Sequence, residues 1–92
     1  MANYKKNGER LPVNVGEVYR LKDDFTTYTM KIEEIKPIKY IEHVKYTMSM
    51  LTIDFYLKER VFTITSRQFL ESFNNQQKKQ NKWVLIQQAN KE

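Results

Sequence analysis

The chain has 92 residues, 40% of them apolar and 13% aromatic, with a formal net charge of +5 and no cysteine. That length and composition suit one domain with a single modest core, and they argue against global disorder. A disulfide framework and a thiolate metal site are excluded, and the longest apolar run, Trp83 to Ile86, is far short of a membrane span.

The first dozen residues are polar, contain Gly8 and Pro12, and read as a basic arm over 1–12. Lys5 and Lys6 lie there with no apolar run behind them, so no secretory signal is read and the cytoplasm is the expected compartment. From Val13 the pattern changes. Val13, Val15, Tyr19 and Leu21 alternate with polar residues, and Tyr28, Met30 and Ile32 resume the alternation after the turn-forming Asp23-Asp24 pair. Period-two alternation marks half-buried strands, so these two runs predict a hairpin.

The step from Ile32 to Ile35 breaks that parity, and Pro37 lacks a ladder donor, so residues 33–43 read as an edge segment or a long loop. Val44, Tyr46, Met48 and Met50 then occupy even positions, whereas Leu51, Ile53, Phe55 and Leu57 occupy odd ones. A change of that kind predicts either a bulge near Met50 or a strand covered on both faces. Asp54 falls within this run and is expected to point outward. The triplet Lys58-Glu59-Arg60 reads as a charged turn, followed by a strand through Val61, Phe62 and Ile64.

Thr65 and Gln68 have capping-box spacing, and Phe69, Leu70 and Phe73 follow at helical spacing, which predicts a short helix or 3₁₀ segment laid on the core. Residues 74–82 are polar, cationic and free of acidic residues, and they lead into a last strand at Trp83–Ile86; residues 88–92 read as a tail. The 74–82 stretch is either a cationic loop near Trp83 or a solvated linker.

Enzymatic chemistry is not expected. One histidine, His43, and two glycines supply neither a triad, a phosphate-cradling loop nor a set of convergent metal donors, and no cofactor is implied. The adjacent carboxylates Asp23-Asp24 and Glu33-Glu34 serve turns and solubility, because neighbours on a strand point to opposite faces. The charge distribution says more. Between Glu9 and Glu71 acidic and basic residues number ten each, so the whole surplus sits at the two ends of the chain. Twelve of the sixteen cations are lysine, which favours salt-sensitive phosphate contacts over base reading. Aromatics interleaved with lysine would suit a single-stranded nucleic acid, although strands also favour tyrosine and phenylalanine for packing alone.

The stretch from Asn14 to Asp24, the hairpin, a bent central strand, its partner, one capped helical turn and a closing strand resemble the layout of small SH3-like barrels of the Tudor and KOW type, over about residues 13–87. The resemblance implies an all-β fold: a five-stranded, bent antiparallel barrel with one short helix. The wealth of Lys, Asn, Ile and Tyr also resembles small accessory proteins of phages and mobile elements in low-GC Gram-positive bacteria. That class docks onto nucleic acid or onto host proteins, anti-CRISPR and other anti-defence proteins included. The expected function is therefore non-catalytic binding of a nucleic acid or nucleoprotein complex through Lys5, Lys6, Arg67, Lys78, Lys79, Lys82 and Trp83. The alternative is an inhibitor of a host enzyme or defence complex, docking by an apolar or edge-strand surface. No membrane partner is expected, and an edge strand offers a route to a homodimer.

Overall fold

The computed structural model describes residues 11–88; the arm over 1–10, with Lys5 and Lys6, and the tail over 89–92 lie outside the described residues. Five strands and one helix follow in the order β1 (Val18–Lys22), β2 (Thr26–Ile38), β3 (Ile41–Thr52), β4 (Leu57–Thr65), α1 (Ser66–Gln77) and β5 (Val84–Gln87). The strands form one antiparallel sheet of order β4-β3-β2-β1-β5, with α1 connecting its two edges. The all-β, barrel-like class expected from the sequence is the class observed.

The first hairpin follows its alternation. Tyr19 pairs with Met30 and Leu21 with Tyr28, and the side chains of Tyr19, Leu21, Met30 and Ile32 are buried on one face. Its turn is held by the Asp23 carboxylate, which accepts the Phe25 and Thr26 N–H groups at 3.0 and 2.8 Å. The strand begins later than the alternation suggested. Val13 is buried in the core, but Val15 is exposed and lies in a turn with Gly16, whose φ of 95° suits a residue without a Cβ. Gly16 and Glu17 then bond to Ile32, prolonging the pairing with β2.

Two connections differ from the sequence reading. Residues 33–38 continue β2 and pair with β3, turning at Lys39-Tyr40. The broken parity is a bulge between Ile32 and Glu34. Pro37 is tolerated because the pairs alternate between bonded and non-bonded: with Ile38–Ile41 closing the two-residue turn, the Pro37–Glu42 pair is a non-bonded one. Its missing donor therefore faces away from β3, where β1 no longer reaches. Second, no bulge occurs at Met50, because the register with β2 and β4 runs unbroken through it. The strand ends at Thr52, the turn is Ile53–Tyr56, and Lys58-Glu59-Arg60 lie inside β4. The odd-numbered apolar residues thus reach the surface instead of reversing the buried face.

The core forms where α1 meets the sheet. Phe69 and Phe73 stack with ring centroids 5.8 Å apart; Phe69 meets Tyr46 edge-on at 5.6 Å, and Phe73 meets Tyr19 at 5.7 Å. The helix starts at the expected capping box, with Thr65 and Gln68 exchanging bonds of 3.1 Å, and the Ser66 hydroxyl donates to Glu42 on β3.

Glu17 is a buried acid, 8% exposed. Burial alone pushes its carboxyl up, but the Tyr19 hydroxyl at 2.6 Å and the Asn14 backbone and side-chain amides outweigh that and hold it below the ordinary 4.5. Burial, with the Glu17 carboxylate adjoining, raises the Tyr19 phenol well above its ordinary 10. A lowered carboxyl stabilises the fold fully above its unfolded value and ceases to do so as pH falls through the folded one. A raised phenol has its cost on the alkaline side, where the unfolded chain ionises first.

Two predictions follow from the packing and the buried acid. Phe69→Ala should lower the unfolding free energy by about 3–5 kcal/mol in urea titrations, against about 1 kcal/mol for Thr65→Ala. Glu17→Gln should flatten the loss of stability between about pH 5 and 2; an acid limb identical to the parent's would contradict the assignment.

Candidate functional site

The lysine-rich stretch is built into a helix terminus. Asn74 to Gln77 belong to α1 and Lys78 is its C-cap, so the connection to β5 is shorter than the polar run suggested. Its shape is set by side-chain amides. Gln77 donates to the Trp83 carbonyl at 3.1 Å and accepts the Trp83 N–H at 2.7 Å, as a strand neighbour would. Gln76 donates to the Asn81 carbonyl at 2.8 Å. The Lys82 ammonium turns back onto the carbonyls of Gln77 and Lys79, at 3.2 and 3.1 Å, where the helix leaves acceptors unpaired. Trp83 is half-buried and packs against the core cluster.

Of the expected binding residues, Lys78, Lys79, Lys82 and Trp83 come together at this end of α1. Arg67 is in the first turn of the same helix, roughly 16 Å away along the axis. A hollow of about 530 Å³ between the loop and the first hairpin is lined by Asp23, Asp24, Phe25, Gln80 and Asn81, so two carboxylates adjoin the cationic loop.

What periodicity did not reveal is a cluster of exposed apolar side chains at the same end of the sheet. Phe25 is 68% exposed, Ile53 69% and Phe55 85%, with Tyr56 and Leu57 also exposed. Two connections bring them together, because the Ile53 N–H donates to the Phe25 carbonyl at 2.9 Å. The β3–β4 turn is tightly organised. The Thr52 hydroxyl bonds to the Asp54 carboxylate and accepts the Tyr56 N–H, while the Phe55 N–H donates to the Thr52 carbonyl. The bond from Thr52 and the backbone N–H groups of the turn lower the Asp54 carboxyl below its ordinary value, so it stays ionised.

Phe55 breaks two rules at once: its φ is 67°, a region that suits glycine, and its ring has almost no cover. Tyr40 on the β2–β3 turn shares both traits, with φ 71°, but among the described residues no backbone hydrogen bond ties a second connection to that turn as Ile53 is tied to Phe25. Phe25, Ile53, Phe55 and Tyr56 form an apolar knob; Asp24 is exposed in the first of its two connections, and Asp23 and Asp54 are bonded within their own turns. The missed signal was present in the sequence: Ile53, Phe55 and Leu57 stand out of phase with the buried parity of β3.

Among the described residues no group of three or more metal-ligating side chains occurs, and no helix is long and apolar enough to cross a membrane. No protein-family model, curated protein or solved structure matches the chain.

The cap at Lys82 yields a prediction. Lys82→Gln should cost about 0.5–1 kcal/mol of stability, whereas Lys79→Gln should change it by less than about 0.5 kcal/mol, as read by equilibrium denaturation.

Proposed function

We propose that the protein is a non-catalytic binding module that docks onto another protein through the knob formed by Phe25, Ile53, Phe55 and Tyr56. The observation that carries this reading is Phe55, an aromatic ring 85% exposed on backbone with φ 67°. Glycine there would relieve a conformational cost of roughly 1–2 kcal/mol and remove an exposed apolar surface. A residue that opposes both backbone preference and burial is best explained by what it touches outside the chain. The knob's chemistry describes the partner surface: an apolar pocket with a lysine or arginine beside it to meet the exposed Asp24.

The nucleic-acid reading draws less support from the same geometry. Lys82 is engaged in its own helix, Asp23 and Asp24 flank the loop, and Arg67 is at the far end of α1. Solvated phosphate contacts need several free cations on one surface.

The test places a photo-crosslinking phenylalanine analogue at Phe55, at Tyr40 or at Lys79 and irradiates cells that make the protein. Protein adducts at Phe55 that survive nuclease, and that vanish with Phe25→Ala, are expected. Phe55→Gly should also abolish binding while leaving the protein at least as stable as the parent in urea. Adducts confined to Lys79 and removed by nuclease would reverse the choice.

A further inference from the structure

The two edges of the sheet are treated differently. β5 is four residues long, and its register on β1 shifts between Val18 and Tyr19, which makes a poor template for another strand. β4 is nine residues long, its register on β3 is unbroken, and seven of its residues are exposed. It contains no proline, and no described element pairs with its outer side.

The bonding phase of β4 can be read from its turn. The Thr52 N–H donates to the Tyr56 carbonyl at 2.9 Å, so the bonded pairs with β3 fall on even-numbered residues of β4. The N–H and C=O groups of Glu59, Val61 and Thr63 therefore point outward in a row. Thr65 is already committed, since its N–H donates to Gln68 within the capping box.

We propose that this edge pairs with β4 of a second copy of the chain, antiparallel about a two-fold axis through Val61. Charge and the committed Thr65 together select the register. An axis through Glu59 sets that carboxylate against its own copy and Lys58 against Arg60; an axis through Arg60 opposes two guanidinium groups. With the axis at Val61, Glu59 faces Thr63, Lys58 faces Ile64 and Arg60 faces Phe62 of the second copy, so no like charges are opposed. Glu59 with Thr63, Val61 with Val61, and Thr63 with Glu59 each exchange two backbone bonds, about six in all. The Arg60 guanidinium comes within reach of the Phe62 ring of the other copy, which stacks on Tyr46 at 5.3 Å in its own protomer. An axis at Phe62 also avoids like charges, but it trades the bonded centre for the committed Thr65. The two sheets join into one of ten strands, continuous on both faces.

The pairing is independent of the knob and is tested by mass. In sedimentation equilibrium the parent should approach twice the monomer mass as its concentration rises. Val61→Pro should halve that mass while keeping the β-type circular dichroism, because the lost donor faces outward, where an edge strand tolerates proline. Should Val61→Pro fail to fold, Val61→Cys gives a second readout. The paired Cα atoms would lie about 5.5 Å apart, within disulfide reach, and oxidation of this otherwise cysteine-free chain should yield a covalent dimer far faster than Ser72→Cys on the exposed side of α1. Phe55→Gly should leave the mass unchanged, so a failed knob and a failed dimer are told apart. A parent that stays monomeric up to millimolar concentration, or equal oxidation rates for the two cysteine variants, overturns the proposal.

Discussion

The structure depends on the seating of two rings. Phe69 and Phe73, one helical turn apart, press α1 onto the inner face of the sheet between Tyr46 and Tyr19. Few residues are fully buried, and most of those that are belong to this one cluster. A sheet of this size has little else to close its face, so the helix is the second layer that a half-apolar sheet requires. Its two ends are accordingly tied down, by the capping box and Ser66–Glu42 at the start and by Gln77–Trp83 and Lys82 at the finish.

How much of this was legible in the sequence depended on whether a local rule acted alone. Tyr19, Leu21, Met30 and Ile32 alternate because one face of a hairpin is buried, and the structure keeps that alternation. The capping box and the Asp23 turn were equally readable, because each involves residues at most three apart. Pro37 misled because its effect depends on which side of the strand has a neighbour, and only sheet order decides that. The apolar run from Leu51 to Leu57 misled for another reason. Periodicity arguments assume that apolar residues are inside, and these are not. The start of β4 showed the same limit: Lys58-Glu59-Arg60 has turn composition but belongs to an exposed edge strand, where polar residues are equally at home.

The candidate site was legible only as a failure of that assumption. Scattered exposed apolar residues are ordinary, but here they converge from two connections and include an aromatic residue on left-handed backbone. The lysines of residues 78–82 were conspicuous by composition, yet composition does not say that one of them caps its own helix. Charge counts locate cations along the chain; only geometry tells which of them are free to meet something else.

The knob and the open edge belong to the same strand connection, and this has a consequence for how the protein would engage a partner. Leu57 starts β4 directly after the turn that bears Phe55, four residues from Val61. With two copies paired about Val61, the strand rise of about 3.4 Å per residue separates the two Leu57 positions by roughly 27 Å along the strands. The knobs then project from opposite ends of one continuous sheet. A rigid spacer of that length lets both engage together only where the partner repeats its pocket at a matching distance, and there the second contact forms at high effective concentration without any new chemistry. The weak point of a small knob is its limited area; the proposed pairing through β4 would compensate by presenting it twice.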